Sequence, residues 1–267
     1  MPAPDPASIA ADLALLQQAA SEAGALALRY FGKDPQVWMK GGTSPVSEAD
    51  YAVDKFLHET LRAARPDYGW LSEETADNDA RLSNSRLFIV DPIDGTRGFL
   101  EGNRRWCVSI AVVENGRSIA GVLDCPATGE KFHATLGGGA WLDGERIAVR
   151  KPDDGGDIKI GGPDKYSKLL APQWRNRLTK TSYVPSLAYR LALVANGRLD
   201  GTFVKPNARD WDLAAATLIV EEAGGAVVDA SGNRPLYNRE RTDHGALATG
   251  SRPLIDAMQT VIAEDET

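Results

Sequence analysis

Leu87-Phe88-Ile89-Val90-Asp91-Pro92-Ile93-Asp94-Gly95-Thr96 is an apolar run that ends in two carboxylates, a proline and a glycine. Branched and aromatic residues suit a pleated sheet, so Leu87 to Val90 reads as a short buried strand. Pro92 has no N–H to give a sheet ladder, and the chain is expected to leave the sheet at Asp91. Two carboxylates three residues apart then stand at a strand end, followed by the backbone amides of Gly95 and Thr96 and the Thr96 hydroxyl. Carboxylates beside anion-binding amides point to a metal-bridged phosphate. An ordinary Asp-Pro and Asp-Gly turn is the plain alternative for this stretch alone.

Working outward, the apolar residues Ile9, Leu13, Leu16, Ala20, Ala23, Ala27 and Tyr30 recur at steps of three and four. They mark a helix over about 8–31, closed by Gly32. Lys40 to Asp50 reads as a loop leading into a second helix over about 48–64, with Val53, Phe56, Leu57 and Leu61 inward. Ser47 can cap that helix with Asp50 three residues on, so Asp50 has a capping role as well as a catalytic one open to it. Tyr68 to Ser72 is a strand delivering Glu73 and Glu74. After Thr96 the pattern is antiparallel: Trp106 to Val113, a turn at Glu114 to Arg117, Ser118 to Leu123, then Lys131 to Thr135. Gly137 to Gly139 is a turn, because no helix follows it as a nucleotide-binding glycine loop would require.

Lys151 to Gly156 looks like a hinge between a first half of about 1–150 and a second of about 157–267. Beyond it strands (158–160, 201–204, 226–228, 246–249) alternate with helices (186–196, 211–224, 252–263). The class is mixed α/β, an α+β first half joined to a more α/β second half. Asp212 opens the Trp211 helix, where an acid also complements the helix dipole.

Composition narrows the function classes. A net charge of −7 argues against binding to nucleic-acid polymers or membrane surfaces. No apolar run approaches the roughly 18–20 residues that span a bilayer, and Met1 to Asp5 lacks the character of a signal peptide. Cys107 and Cys125 lie in strand-like runs, so a disulfide framework is not expected. Three scattered histidines do not make a zinc site, whereas plentiful Asp and Glu suit hard cations such as Mg²⁺. A cytoplasmic enzyme is expected.

Two long segments then carry a resemblance. Phe88 to Thr96 matches a run of aromatic, two apolar residues, then D-P-[IL]-D-G-T. Trp211-Asp-Leu-Ala-Ala and Glu222-Ala-Gly-Gly225 match a W-D-x-A-A segment followed by E-A-G-G. With Glu73-Glu74 and Asp50 ahead of them, the chain resembles the inositol monophosphatase superfamily over nearly its whole length. The resemblance implies a layered αβαβα sandwich and a Mg²⁺-dependent, often lithium-sensitive phosphatase. It implies that Glu73, Asp91 and the Ile93 carbonyl hold one Mg²⁺. Asp91, Asp94 and Asp212 would hold a second, and a third would bind near Glu73. Gly95 and Thr96 would bind the phosphate, and Asp50 and Thr96, with Glu73, would act on a metal-activated water. Relatives are often homodimers, and the partner of the site is a small phosphorylated substrate.

Substrate choice rests on the rim. Where inositol monophosphatases usually carry Glu, seven residues before the Asp of the W-D segment, this chain has Lys205, with Arg209 nearby. A cation suits a second phosphate better than a polyol. This and the Gly-Trp-Leu-Ser-Glu-Glu and Asp-Gly-Thr-Arg-Gly-Phe stretches most resemble bacterial 3′(2′),5′-bisphosphate nucleotidases, which cleave the 3′-phosphate of 3′-phosphoadenosine 5′-phosphate. Family position adds Ser186 and Arg190 to the substrate side, with Lys165 on the preceding loop. The alternatives are an inositol-1-phosphate or broad sugar-phosphate phosphatase, a histidinol-phosphate phosphatase, and a non-catalytic regulatory binding protein.

Overall fold

A computed structural model describes residues 5–42, 44–153 and 155–265. The first half runs α1 (Pro6–Leu28), β1 (Val37–Lys40), β2 (Ser44–Ser47), α2 (Glu48–Ala64), β3 (Gly69–Ser72), β4 (Arg86–Asp94) and α3 (Thr96–Leu100). It continues through β5 (Cys107–Glu114), β6 (Arg117–Cys125), β7 (Glu130–Thr135), β8 (Gly139–Leu142) and β9 (Glu145–Ile147). The second half holds β10 (Ile160–Gly161), α4 (Asp164–Leu169), α5 (Pro172–Arg175), α6 (Leu187–Ala195), β11 (Gly201–Val204) and β12 (Ala208–Arg209). After these come α7 (Asp210–Glu222), β13 (Ala226–Asp229), β14 (Asp243–His244), β15 (Leu247–Gly250) and α8 (Arg252–Asp265). No helix among the described residues is long and apolar enough to cross a membrane.

Strand β4 shows why the layers form. Phe88 and Val90 enter an apolar cluster with Leu16 and Ala20 of α1 and Val53 and Leu57 of α2. Leu87 and Ile89 enter a second cluster with Leu191 of α6 and Leu213 and Ile219 of α7. Successive side chains of a strand point to opposite faces, so one continuous apolar run covers both. The large sheet has the order β3-β4-β5-β6-β7-β8-β9, antiparallel apart from the β3–β4 edge pair. A smaller sheet, β10-β11-β15-β13, lies beyond α6 and α7. Its outer face packs Phe203 and Ala248 against Leu254, Met258 and Ile262 of α8 and Tyr166 of α4. The result is an αβαβα sandwich, and the middle helix α7 is apolar nearly all round because both its sides are covered.

The structure departs from the sequence reading in four places. β4 does not end at Asp91: pairing with β5 breaks there and resumes at Asp94 opposite Cys107. Pro92 sits in that irregularity, where its missing N–H costs the ladder nothing. The stretch read as a loop over 40–50 contains half of a two-stranded hairpin, β1–β2. In the second half strand and helix do alternate, but among its described strand pairs only β10–β11 is parallel. Helices α4 and α5 are too short to carry a legible period, and went unread.

The linker over 151–156 has no regular structure in its described part; Asp154 and residues 1–4 lie outside the described residues. Its approach is pinned by Val149 N donating to Ala223 O at 3.0 Å. Arg150 also grips buried Asp200 through two bonds of 2.6 and 2.8 Å.

Helix α7 meets the large sheet at Gly121, where a Cβ would lie 3.0 Å from Ala215 Cα and 3.1 Å from Ala215 O. Gly121→Val overpacks this contact and should lower stability by about 1–3 kcal/mol. Urea unfolding measures it, and an unchanged midpoint would contradict the close approach.

Candidate active site

The irregularity in β4 aims Asp91 and Asp94 into one cleft. Asp91 Oδ1 accepts from Ile93 N at 3.1 Å, a local turn that fixes its carboxylate. Gly95 follows at φ +94°, a left-handed conformation costly to other residues. A Cβ there would also come within 3.0 Å of Ser186 N. Glycine is therefore required twice over, for the turn and for the approach of α6. The chain then enters α3, and the first bond of that turn is Phe99 N to Gly95 O at 3.0 Å. The N–H groups of Gly95 and Thr96 precede that bond, where a helix leaves its first amides without an intrahelical partner.

Asp94 is held from the N-terminal end of α6. The Ser186 hydroxyl donates to its Oδ2, as does Ala188 N at 2.6 Å, and Leu187 N donates to Oδ1 at 3.3 Å. Ser186 itself caps α6, accepting from Tyr189 N at 3.0 Å. Asp212 stands in the first turn of α7, its Oδ2 accepting from Arg209 N at 2.7 Å. One oxygen each of Asp91, Asp94 and Asp212 lie within 4.8 Å of one another. Glu73, leaving β3 with its N–H bonded to Val90 O at 3.2 Å, stands on the wall of the same cleft. The cleft encloses ≈ 260 Å³ and is lined also by Ser44, Pro45, Gly95, Thr96 and Arg97.

Asp50 makes two sets of contacts at once. Its Oδ2 accepts from Ser47 N at 2.8 Å and Ser47 Oγ at 2.6 Å, the capping arrangement expected for α2. Its Oδ1 faces the Thr96 hydroxyl at 3.0 Å, and that hydroxyl lies equally near Ile93 O. A hydroxyl has one proton, so Thr96 donates to one of these acceptors at a time.

The electrostatics follow from crowding. Burial raises the pKa of Asp91 well above the carboxylate range, and Glu73, Asp94 and Asp212 push the same way. Burial does the same to Asp212, with Asp94 next. Asp94 is raised by burial in spite of the bonds from Ser186, Ala188 and Leu187. Burial lifts Glu73 to about 7, against the pull of Lys40. Asp50 is raised by burial and eased by Ser47 and Thr96. Clustered hard oxygen donors whose charges repel are the donor set that divalent cations such as Mg²⁺ satisfy.

The remaining residues fall into place unevenly. Ser186 is fully buried, its hydroxyl spent on Asp94. Arg190 is partly buried, with Nε on Thr202 Oγ1 at 3.0 Å. It lines, with Lys205, a neighbouring pocket of ≈ 440 Å³. Leu187 lines that pocket too, while its N–H reaches Asp94, so pocket and cleft adjoin. Arg209 is exposed and pairs with Asp243 at 3.8 Å. Lys165 lies in α4 and pairs with Asp265 at 2.6 Å. Lys40 escaped the sequence reading: from β1 its Nζ reaches Glu74 Oε1 at 2.7 Å, Glu73 O at 3.2 Å and Glu73 Oε1 at 3.6 Å. Only an unread hairpin carries it there, and a Lys beside two glycines gave no signal.

Comparison with known proteins follows the same lines. The model of the inositol monophosphatase family matches residues 10–258. An inositol-1-monophosphatase of Mesorhizobium japonicum is 35% identical over 257 residues, covering 92% of this chain and 94% of that protein. The solved extragenic suppressor protein suhB of Bartonella henselae is 31% identical with a TM-score of 0.81, over 94% of this chain and 98% of that one. CysQ of Bacteroides thetaiotaomicron shares the fold, with a TM-score of 0.77 at 24% identity over 91% and 97% of the two chains.

Glu73 gives the cleft a pH signature. A carboxyl raised on folding adds stability below its unfolded pKa and loses that contribution as pH climbs through the folded one. Between about pH 4.5 and 7 the Glu73 contribution should therefore decline in chelator, and the stabilisation gained on adding Mg²⁺ should grow. Urea unfolding with and without Mg²⁺ tests this; a Mg²⁺ effect constant across the interval contradicts it.

Proposed function

The chain belongs to the inositol monophosphatase family and is a phosphoric monoester hydrolase, and on that premise we propose that it is a Mg²⁺-dependent enzyme that removes the 3′-phosphate of 3′-phosphoadenosine 5′-phosphate. The observation that carries the substrate choice is the pair of cations, Arg190 and Lys205, in the pocket adjoining the acidic cleft. A phosphate ester with its scissile group over Gly95 and Thr96 would extend toward that pocket. There a second phosphate meets a guanidinium and an ammonium. The pocket volume of ≈ 440 Å³ lies within the range of small-ligand sites, about 300–1,000 Å³. A cytoplasmic location accords with this reading.

Glu73, Asp91 and the Ile93 carbonyl would hold one ion, and Asp91, Asp94 and Asp212 a second. Bound there, Mg²⁺ supplies positive charge to the phosphoryl oxygens and makes water more acidic. Thr96 Oγ1 would take a proton from the attacking water as it gives its own to Asp50 Oδ1, at 3.0 Å. The water oxygen bonds to phosphorus as the bond from phosphorus to the ribose 3′ oxygen breaks, and that oxygen leaves as a hydroxyl with a proton from solvent water. The bonds from Ser47 to Oδ2 keep Asp50 in position throughout. Gly95 and Thr96 N–H groups hold the phosphate for in-line attack. Ser186 acts through Asp94, holding its carboxylate rather than touching substrate.

A second reading, hydrolysis of inositol 1-phosphate, is supported by the 35% identity to the inositol-1-monophosphatase of Mesorhizobium japonicum. Phosphate release in Mg²⁺ from 3′-phosphoadenosine 5′-phosphate, inositol 1-phosphate and histidinol phosphate, side by side, separates them. The nucleotide should lead by kcat/KM, and a lead for inositol phosphate overturns the substrate assignment. Lys205→Glu should cut the preference for the nucleotide about tenfold or more, since a bond to a charged group contributes about 1.5–3 kcal/mol. An unchanged ratio would remove Lys205 from the specificity argument.

A further inference from the structure

We infer that Arg81, Asn238, Asp210 and His244 form a positioning chain that fixes the segment carrying Glu73 against the helix carrying Asp212, and thereby sets the gap between the two groups of metal ligands. The inference rests on the metal assignment above. None of the four residues lines the cleft.

The chain begins four residues beyond Glu73. Asp77 receives Arg81 Nε at 2.6 Å and NH2 at 2.9 Å, a bidentate fork. Arg81 is only 2% exposed, so its charge is committed to these partners. NH1 continues to Asn238 Oδ1 at 2.7 Å, and NH2 to Arg239 O at 3.0 Å. Asn238 N donates to Asp210 Oδ2 at 2.8 Å, and His244 Nε2 meets Asp210 Oδ1 at 2.7 Å. Asp210 N in turn donates to Thr242 O at 2.9 Å. The first residue of α7 is thus gripped from three directions by the segment 238–244, two positions before Asp212. At the other end Glu73 is tied to β4 through Val90 O.

The arrangement matters for ion binding because Glu73 and Asp212 come from elements remote in sequence. Each side is also bonded to the large sheet, Glu73 through Val90 O and α7 through Ser109 Oγ to Trp211 O at 3.3 Å and Ser118 Oγ to Ala214 O at 2.7 Å. The positioning chain adds the direct tie between the two segments, and without it packing tolerates small slides that a ligand cage does not. Arg81 and Asp210 are both buried, and a fold that needed only cohesion would be served as well there by apolar side chains. What directional bonds add is a fixed distance.

Calorimetric titration of Mg²⁺ into chelator-stripped protein tests the chain. Asn238→Gly removes the acceptor for Arg81 but keeps the backbone donor to Asp210, and glycine adopts φ +56° without strain. Arg81→Lys keeps the charge and loses the fork. Arg150→Met breaks the Arg150–Asp200 pair, away from the cleft, and controls for general loosening. Asn238→Gly and Arg81→Lys should each weaken Mg²⁺ binding about tenfold or more, in line with the usual loss when the partners of ligands are removed. Arg150→Met should bind as the wild type does, even where its melting temperature falls further. Wild-type affinity in Asn238→Gly, or an equal loss in Arg150→Met, overturns the inference. If Arg81→Lys does not fold, Asn238→Gly decides alone. Absence of Mg²⁺ binding in the wild type would bring down the metal assignment itself, and this inference with it.

Discussion

Repulsion among the carboxylates of Glu73, Asp91, Asp94 and Asp212, enclosed in one cleft, is the term against which the surrounding structure is arranged. Two like charges 4 Å apart at an effective dielectric near 20 oppose each other by about 4 kcal/mol. A fold of ordinary stability cannot carry several such pairs without compensation. Compensation is visible at Asp91, Asp94 and Asp212, each of which accepts from a backbone N–H: Ile93, Ala188 and Arg209. Those bonds come from three elements, so the cleft exists only where β4, α6 and α7 meet. Lys40, from the β1–β2 hairpin, adds a positive charge 3.6 Å from Glu73 Oε1.

The same bonds prepare chemistry. Asp94 is oriented by the first turn of α6, and Asp50 by the capping of α2. In the proposed mechanism, groups held by the bonds that end a helix need no rearrangement during the reaction. The break in β4 supplies the third element. It leaves Asp91 and Asp94 on the same side although a regular strand would send residues three apart to opposite faces. Pro92 and Gly95, read first as turn markers, are what make that break affordable to the backbone.

Much of this was legible in the sequence, for physical reasons that differ along the chain. The strands and helices with strong periods, such as α2, β5, β6 and α7, were found within a few residues because burial on one or both faces writes itself into side-chain order. The four acids stood out by their places at strand ends and a helix start, and the structure brings Asp91, Asp94 and Asp212 together with Glu73 on the wall of the same cleft. What escaped depends on geometry that spacing does not encode. The resumption of β4 after Asp91 follows from a bulge, and bulges have weak sequence marks. Lys40 and Arg81 act through contacts made 33 and 157 residues away, with Glu73 O and Asn238. The burial of Ser186 and its bond to Asp94 become visible only when α6 is set against Gly95.

The central claim is that the carboxylate cluster is a cage for divalent ions. Anomalous diffraction from crystals soaked in Mn²⁺, which prefers the same oxygen ligands as Mg²⁺, addresses it most directly. The account predicts a strong anomalous peak in contact with Asp91, Asp94 and Asp212, with a further peak on the Glu73 side of Asp91. A protein that hydrolyses phosphate esters in Mn²⁺ yet shows no peak at those carboxylates would contradict it.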